Sequence, residues 1–184
     1  MWIVAGLGNP GNEYQGTRHN VGFEVVSLLA DRHRYAASKA FKNAQVARGD
    51  IAGNEVLLMQ PMTFMNLSGN AVGPVMRYFK CTPSDVIVVH DELDFAPGVV
   101  RIKRGGGPGG HNGLKSVSDH IGADYLRIRL GVGKPTGRGA DHVLSRFSSS
   151  DRAVLNDAVS AAADAVEMIV CESLDKAMNK FNQQ

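Results

Sequence analysis

Apolar positions recur along the chain at two spacings, and these spacings predict strands that alternate with helices. Short β-branched and apolar runs predict strands near residues 2–6, 44–51, 55–60, 86–90, 99–104 and 125–132. Apolar residues three or four positions apart predict helices over 20–35, 66–80, 113–121 and 151–170, then a short closing helix. This alternation predicts an α/β protein, a three-layer α/β/α sandwich around a twisted mixed β-sheet. No repeat or linker interrupts it, so we expect residues 1–184 to form one domain.

Local features add detail to these elements. The apolar run over 86–90 is typical of a strand buried on both faces. Residues 125–132 alternate tyrosine and two arginines with aliphatic residues, which predicts a half-buried strand. Asn20 is expected to cap the first helix, and Asn66 or Ser68 to open the second, because these side chains accept hydrogen bonds from helix N-termini.

Basic residues are concentrated in one part of the sequence. The chain has 184 residues and a formal net charge of only +2, but residues 99–138 contain eight basic and two acidic side chains, a local charge of +6. A basic segment of this kind favours contact with phosphate groups. A set of solvated strand faces would have the same composition, so charge alone leaves both interpretations open.

The remaining composition is that of an ordinary globular protein. Hydrophobic residues make up 43% of the chain and charged residues 21%, which argues against disorder. The apolar runs are too short to cross a bilayer, and the sequence from Met1 resembles a strand rather than a signal peptide. Cys81 and Cys171 lie in no metal-ligand spacing, so we expect free thiols in a reduced, cytoplasmic protein without a metal.

Two glycine-rich segments follow predicted strands. Residues 6–11 match the dinucleotide-binding motif G-x-G-x-x-G, which requires a helix that begins at the loop and an acidic residue at the end of the next strand. Here the next helix begins only near Asn20, and the candidate acidic residue, Asp31, falls inside that helix, so we reject a dinucleotide site. The segment does place Asn9 and His19 beyond the carboxyl end of the first strand, where open α/β sheets bind ligands. Residues 105–113 form a second glycine loop without the Lys-Ser/Thr of a nucleotide P-loop, and we expect this loop to contact substrate rather than to be a flexible connector.

His19 is the best candidate for a general base among the six histidines. It precedes a helix N-terminus, whose dipole favours the neutral imidazole that can accept a proton. His33 and His120 lie in predicted helices, where a structural role is expected. Without a G-x-S-x-G elbow for a serine nucleophile, and with Cys81 poorly placed, direct attack by water is the preferred chemistry.

A carboxylate is needed to orient such a histidine. Asp91, Glu92 and Asp94 compete for this role, and Asp91 is preferred because it directly follows the buried strand. The alternative is a metal or paired-carboxylate site built from His90 and the same three acids, but no recognised ligand spacing supports it. Asparagine side chains can both donate to an oxyanion and accept from a peptide N–H, and Asn9, Asn66 and Asn112 all lie beside loops; helix capping is the simpler alternative.

Four motifs in order along the chain resemble those of bacterial-type peptidyl-tRNA hydrolases. The first comprises residues 6–11 with Tyr14 and 17–20, the second residues 61–69, the third 90–94 and the fourth 106–115. Together they span most of the sequence. Many relatives have histidine at the position of Pro108. The proline should stiffen the glycine loop here, and it removes no residue assigned to chemistry.

The resemblance implies a metal-free and cofactor-free enzyme that cleaves the ester between a peptide and the 3′ ribose of tRNA, recycling tRNA from stalled translation. It implies His19 as general base, Asp91 as its partner, and Asn9 as the residue that distinguishes blocked from free aminoacyl ends. It also implies a substrate-binding set comprising Tyr14, Phe64, Asn66 and Asn112, and phosphate contacts from Lys103, Arg129 and Arg138. The expected partner is the acceptor stem and 3′ end of peptidyl-tRNA, bound by a monomer; a non-catalytic RNA-binding protein remains the alternative.

Overall fold

A seven-stranded mixed sheet forms the centre of the protein, whose computed structural model describes residues 1–183. The strands are β1 (Trp2–Gly6), β2 (Lys39–Phe41), β3 (Ala44–Ile51), β4 (Asn54–Pro61), β5 (Val86–Glu92), β6 (Val100–Arg104) and β7 (Leu126–Gly131). Their order is β2-β3-β4-β1-β5-β7-β6, with β4, β1, β5 and β7 parallel and the strands at each edge antiparallel. The predicted mixed sheet is confirmed.

Helices cover both faces of this sheet. They are α1 (Val21–Arg32), α2 (Gly69–Tyr78), α3 (Asn112–Ile121), α4 (Gly139–Val143), α5 (Ser149–Cys171) and α6 (Leu174–Phe181). Alternate residues of each strand point to opposite faces, so Val4 and Ile87 pack with α1, α5 and α6, whereas Ile3 and Val88 pack with α2 and α3. The three-layer α/β/α sandwich predicted from the sequence is therefore confirmed. None of the described helices is both long and apolar enough to span a bilayer.

Close approach of α1 to the sheet fixes the position of the loop that contains His19. A Cβ atom added to Gly22 would lie 2.4 Å from the Val89 carbonyl oxygen, and one added to Gly6 would lie 2.1 Å from the Gly22 oxygen. Both distances are far below van der Waals contact, so these positions require glycine. The start of α1, and with it the preceding turn, is held directly against the ends of β1 and β5.

Several boundaries differ from the prediction. Helix α1 ends at Arg32 rather than near residue 35, because Arg34 adopts a left-handed conformation with φ of 53°. Neither Asn20 nor Ser68 makes a side-chain cap bond, and Asn66 lies in a 3₁₀ turn before α2. Strand β2 and helix α4 were not predicted; both are short and largely exposed, and carry no apolar period.

The outer edge of β6 is capped at Ile102 by Asn182, which follows α6. Asn182 accepts a hydrogen bond from the Ile102 backbone N–H at 2.8 Å and donates one to the Ile102 carbonyl at 2.9 Å. This side-chain amide satisfies the two backbone groups of Ile102, which would otherwise be open to pairing with another strand.

Candidate active site

A carboxylate lies between two imidazole rings at the carboxyl edge of the parallel strands. His19 Nδ1 is 2.9 Å from each oxygen of Asp91, and His111 Nε2 is 2.8 Å from Asp91 Oδ1. Asp91 ends the buried part of β5 and is only 2% exposed. The structure thus brings His19 and Asp91 together and adds a second histidine, His111, which sequence reasoning had left without a role at this position.

The two histidines keep the buried carboxyl group ionised. Burial by itself would raise the pKa of Asp91, but the charge of His111 and hydrogen bonds from His111 and His19 outweigh it, and the net effect is a pKa well below the ordinary value. An ionised carboxylate can only accept hydrogen bonds. The ring nitrogens that face Asp91, Nδ1 of His19 and Nε2 of His111, therefore carry the protons.

This hydrogen bonding fixes which nitrogen of each histidine is basic. His111 caps α3 by accepting the Leu114 backbone N–H on Nδ1 at 3.2 Å, so a neutral His111 has its proton on Nε2. In the neutral state of His19 the proton is on Nδ1, which leaves the Nε2 lone pair available. Among residues 1–183, no side chain or backbone group bonds to His19 Nε2, and the ring is 13% exposed. A basic nitrogen is thereby presented to solvent by a buried carboxylate.

Two adjoining cavities meet at His19 and Asn112. One, of about 290 Å³, lies over the His19–Asp91–His111 cluster and is bordered by Glu92, Leu93 and Asp94. The other has a volume of about 230 Å³ and is lined by Asn9, His19, Phe64, Met65, Asn66, Asn112, Ala140, Val143 and Leu144. The imidazole of His19 is therefore accessible from a cleft lined by both amide and apolar side chains.

Asn9 is held rigidly in this cleft. Its side-chain oxygen accepts the Met65 backbone N–H at 2.7 Å, and Asn20 bonds both its backbone N–H at 2.8 Å and its carbonyl at 2.9 Å. Asn20 was predicted to cap α1, but its amide instead clamps the loop that contains Asn9. Because both Asn9 Oδ1 and the backbone are engaged, the side-chain NH₂ is the group left to meet a ligand.

The other predicted substrate-binding residues are less enclosed. Asn66 and Asn112 are exposed and line the cleft, and Phe64 is 57% exposed beside them. Neither asparagine caps a helix. Tyr14 is half-buried and lines neither cavity; its carbonyl accepts hydrogen bonds from the backbone and side chain of Thr17. The structure thus brings all but Tyr14 of this set to the cleft.

One wall of the cleft comes from a segment to which the sequence analysis assigns neither structure nor function. Helix α4 contributes Ala140 and Val143 to both cavities. The chain after it forms a bridge from Arg146 to Thr17, and Arg18 donates to the Ser145 hydroxyl at 2.6 Å and the Arg146 carbonyl at 2.8 Å. These bonds attach the α4 segment to the turn that presents His19. Helix α4 has only five residues and no apolar period, so the sequence does not predict it.

The basic segment is less exposed than its charge indicated. Arg127 is 2% exposed, and every residue of β7 except Arg129 is buried, so the prediction of a half-buried strand is wrong. Arg129 is partly buried, lies 3.9 Å from Glu92 and stacks over the Phe95 ring. Lys103 is exposed on β6, and Arg138 is 86% exposed at the start of α4. Lys103 and Arg138 are therefore accessible to a phosphate, whereas Arg127 is not.

The alternative cluster of His90, Asp91, Glu92 and Asp94 is not assembled. His90 points to the opposite face of β5, is 1% exposed, and donates from Nδ1 to the Asp91 carbonyl at 2.7 Å. In the described part of the chain, the group with metal-like spacing is His19, Asp91 and His111, whose ligand atoms lie within 4.8 Å of one another. Those atoms are already joined by hydrogen bonds, which account for the arrangement.

Acid should destabilise the protein through His90. Burial and the charge of His111 lower the pKa of His90 to about 3, whereas an unfolded histidine titrates near 6.5. The stability that neutral His90 contributes is present above about pH 6.5 and is lost as the pH falls toward 3, because only the unfolded chain takes up the proton. Urea unfolding should show a slope against pH that His90→Gln makes shallower by up to about 1.4 kcal/mol per pH unit. Parallel curves for the two proteins would contradict this assignment.

The fold and the site define an α/β enzyme whose centre is a carboxylate-oriented histidine surrounded by amide side chains. Comparison with known proteins then identifies the family. The family model described as Peptidyl-tRNA hydrolase matches residues 3–184, and the chain belongs to that family.

Individual relatives agree along nearly the whole chain. Proteins named peptidyl-tRNA hydrolase from Agrobacterium fabrum and Frankia alni are 51% and 47% identical, with 98% of this chain covered and 77% and 93% of theirs. A crystal structure of peptidyl-tRNA hydrolase from Acinetobacter baumannii has a TM-score of 0.95 at 40% identity, covering 100% of this chain and 95% of that one. The resemblance inferred from the four motifs is confirmed, as is the assignment as an enzyme.

Proposed function

We propose that this protein hydrolyses peptidyl-tRNA at the ester between the peptide and the 3′ ribose, with His19 as general base, and that residues 1–184 act as one catalytic domain. The observation that carries the roles is the contact of His19 Nδ1 with both oxygens of Asp91, at 2.9 Å each. This contact leaves a single basic nitrogen directed into a cleft. No substrate-derived or cofactor group is needed to make that nitrogen basic.

The reaction proceeds through two proton transfers at His19 Nε2. First the nitrogen takes a proton from water as the water oxygen bonds to the ester carbonyl carbon, and Asp91 stabilises the resulting imidazolium. The tetrahedral intermediate then collapses, the bond from carbon to the 3′ oxygen breaks, and Nε2 returns its proton to that oxygen. The products are a peptide carboxylate, after loss of a proton to solvent, and tRNA with a free 3′ hydroxyl.

Amide side chains supply the positioning. The fixed NH₂ of Asn9 suits the carbonyl of a peptide-blocked α-nitrogen, since a free α-ammonium group offers no acceptor. Asn66 and Asn112 line the cleft beside His19, where they can hold the water and the developing oxyanion. General-base catalysis alone contributes roughly 10²–10⁴-fold, so these contacts must account for much of the remaining acceleration.

The tRNA acceptor stem is proposed to bind across the basic side of the cleft. Lys103 and Arg138 present exposed charge, and partly buried Arg129 lies 3.9 Å from Glu92, which borders the cleft. Contacts of this kind recognise phosphate rather than base sequence, so affinity should fall as salt concentration rises. We propose that the enzyme acts as a monomer in the cytoplasm, where its substrate is formed.

The proposal is tested by comparing two tRNA esters that differ only at the α-nitrogen. N-acetyl-aminoacyl-tRNA should release its acyl group many times faster than the free aminoacyl-tRNA, and EDTA should not change the rate. Binding of tRNA without ester loss would instead support the non-catalytic alternative, and loss of activity in EDTA would point to a metal at the His19–Asp91–His111 cluster.

A further inference from the structure

A buried arginine lies beneath the glycine loop that leads into α3. Arg127, in the middle of β7, donates from Nη1 to the Gly107 carbonyl at 2.6 Å and from Nη2 to the Gly106 carbonyl. Its guanidinium also lies over the Tyr125 ring, with 4.7 Å between Cζ and the ring centroid. Among residues 1–183, the two loop carbonyls are its only polar partners, and its Nε is buried without a partner.

This arrangement reduces the stability of the folded state. A buried cation without a carboxylate partner loses hydration that two neutral carbonyls restore only in part. Arg127 also lies directly opposite Lys103 in the pairing of β6 with β7, and like charges at facing positions repel. An aliphatic residue would suit the buried position better if packing were its only requirement. The contacts with the loop are what the arginine provides and an aliphatic residue could not.

The loop has few other constraints between its two ends. Gly105 N–H bonds the Tyr125 carbonyl at 3.0 Å at its start, and His111 N–H closes a turn onto Pro108 at 3.0 Å at its end. Between them, Gly106 has a φ of 98° and Gly109 a φ of 58°, conformations open to glycine but rarely to other residues. A planar fork that bonds two successive carbonyls restricts such a segment, and lysine cannot reproduce it.

We propose that Arg127 is a positioning residue for the proposed hydrolysis. It fixes the glycine loop so that His111 forms its hydrogen bond with Asp91 and Asn112 lines the cleft. The inference rests on the proposed function only for its kinetic readout. Arg127 itself touches neither substrate nor the reacting atoms, and at 2% exposure it cannot contact tRNA phosphate. Its influence therefore passes through the two residues at the loop exit.

Arg127→Lys keeps the charge but loses the fork, and it should lower the single-turnover rate of ester hydrolysis by about tenfold or more while tRNA affinity stays unchanged. Amide hydrogen exchange over residues 105–111 should accelerate in the same variant, a readout independent of activity. If the Arg127→Lys variant does not fold, Arg127→Met, which buries no charge, tests the same loss of the two carbonyl contacts. Arg32→Lys is the matched control, because Arg32 bonds Asp164 and Glu167 on the opposite side of the sheet.

A double-mutant cycle separates positioning from general stabilisation. If Arg127 acts through the loop exit, its substitution should have little further effect in a His111→Ala background, because groups that act as one unit are not additive. Equal fractional losses in both backgrounds, or a lower melting temperature with unchanged rate and loop exchange, would overturn the proposal. An inactive wild type with accelerated loop exchange in Arg127→Lys would count against the proposed function and leave the loop contact intact.

Discussion

His19→Ala should reduce the turnover of N-acetyl-aminoacyl-tRNA by about 10³-fold or more, the largest loss expected from any single substitution. In the part of the chain that the structure describes, this imidazole is the only group in the cleft whose free nitrogen is oriented by a buried carboxylate, and general-base catalysis is worth roughly 10²–10⁴-fold. Affinity for tRNA should remain, because the exposed basic residues are untouched. The measurement is kcat from initial rates of acyl release, beside tRNA binding at the same salt concentration.

A second histidine, His33, provides the matched control for His19→Ala. His33 bonds Glu167 through Nε2 at 2.8 Å, well away from the cleft, so His33→Ala should retain wild-type turnover. Added imidazole should restore part of the activity of His19→Ala, since the deletion leaves space for a small base beside Asp91. Wild-type turnover by a folded His19→Ala protein would defeat the assignment of the general base.

The order of strands and helices and the face on which Asp91 lies could be predicted from the sequence. Strong period-two and helical patterns defined most elements, and Asp91 follows Ile87 and Val89 on the same side of β5. Because β1 and β5 are neighbouring parallel strands, the segments after them had to meet at one edge. Loop-borne groups that follow such strands can therefore be predicted to converge before any distance is known.

Long-range polar contacts could not be predicted in this way. Asn20 stands at a helix start, and nothing local indicates that its amide clamps the backbone of Asn9 instead of capping α1. Arg127 follows a period that normally places charge in solvent, yet carbonyls twenty residues earlier in the chain make its burial possible. The role of His111 likewise depends on a fold that brings its loop over Asp91. In each case the partner is a backbone or carboxyl group distant in sequence.

Asp91→Asn should lower kcat by about 10²-fold or more and change the pH–rate profile, while leaving the protein folded. An amide presents one acceptor and one NH₂ group where the carboxylate presents two acceptors, and His19 Nδ1 is 2.9 Å from both positions, so it faces the NH₂ in either orientation of the amide. Facing a donor favours the tautomer of His19 with its proton on Nε2, and the basic lone pair is then lost from the cleft. An amide also leaves the imidazolium formed during reaction without a counter-charge.

The pH dependence of the Asp91→Asn variant separates the role of Asp91 in orienting His19 from its contribution to folding stability. In the wild type the depressed pKa of Asp91 contributes stability that is present above the ordinary carboxyl value, about 3.9, and is lost as the pH falls below it. Asp91→Asn should remove this additional acid sensitivity as well as the activity. Asp119→Asn, which alters an exposed carboxylate paired with Lys115, should change neither. An Asp91→Asn enzyme with the wild-type pH–rate profile would mean that His19 is oriented by something other than this carboxylate.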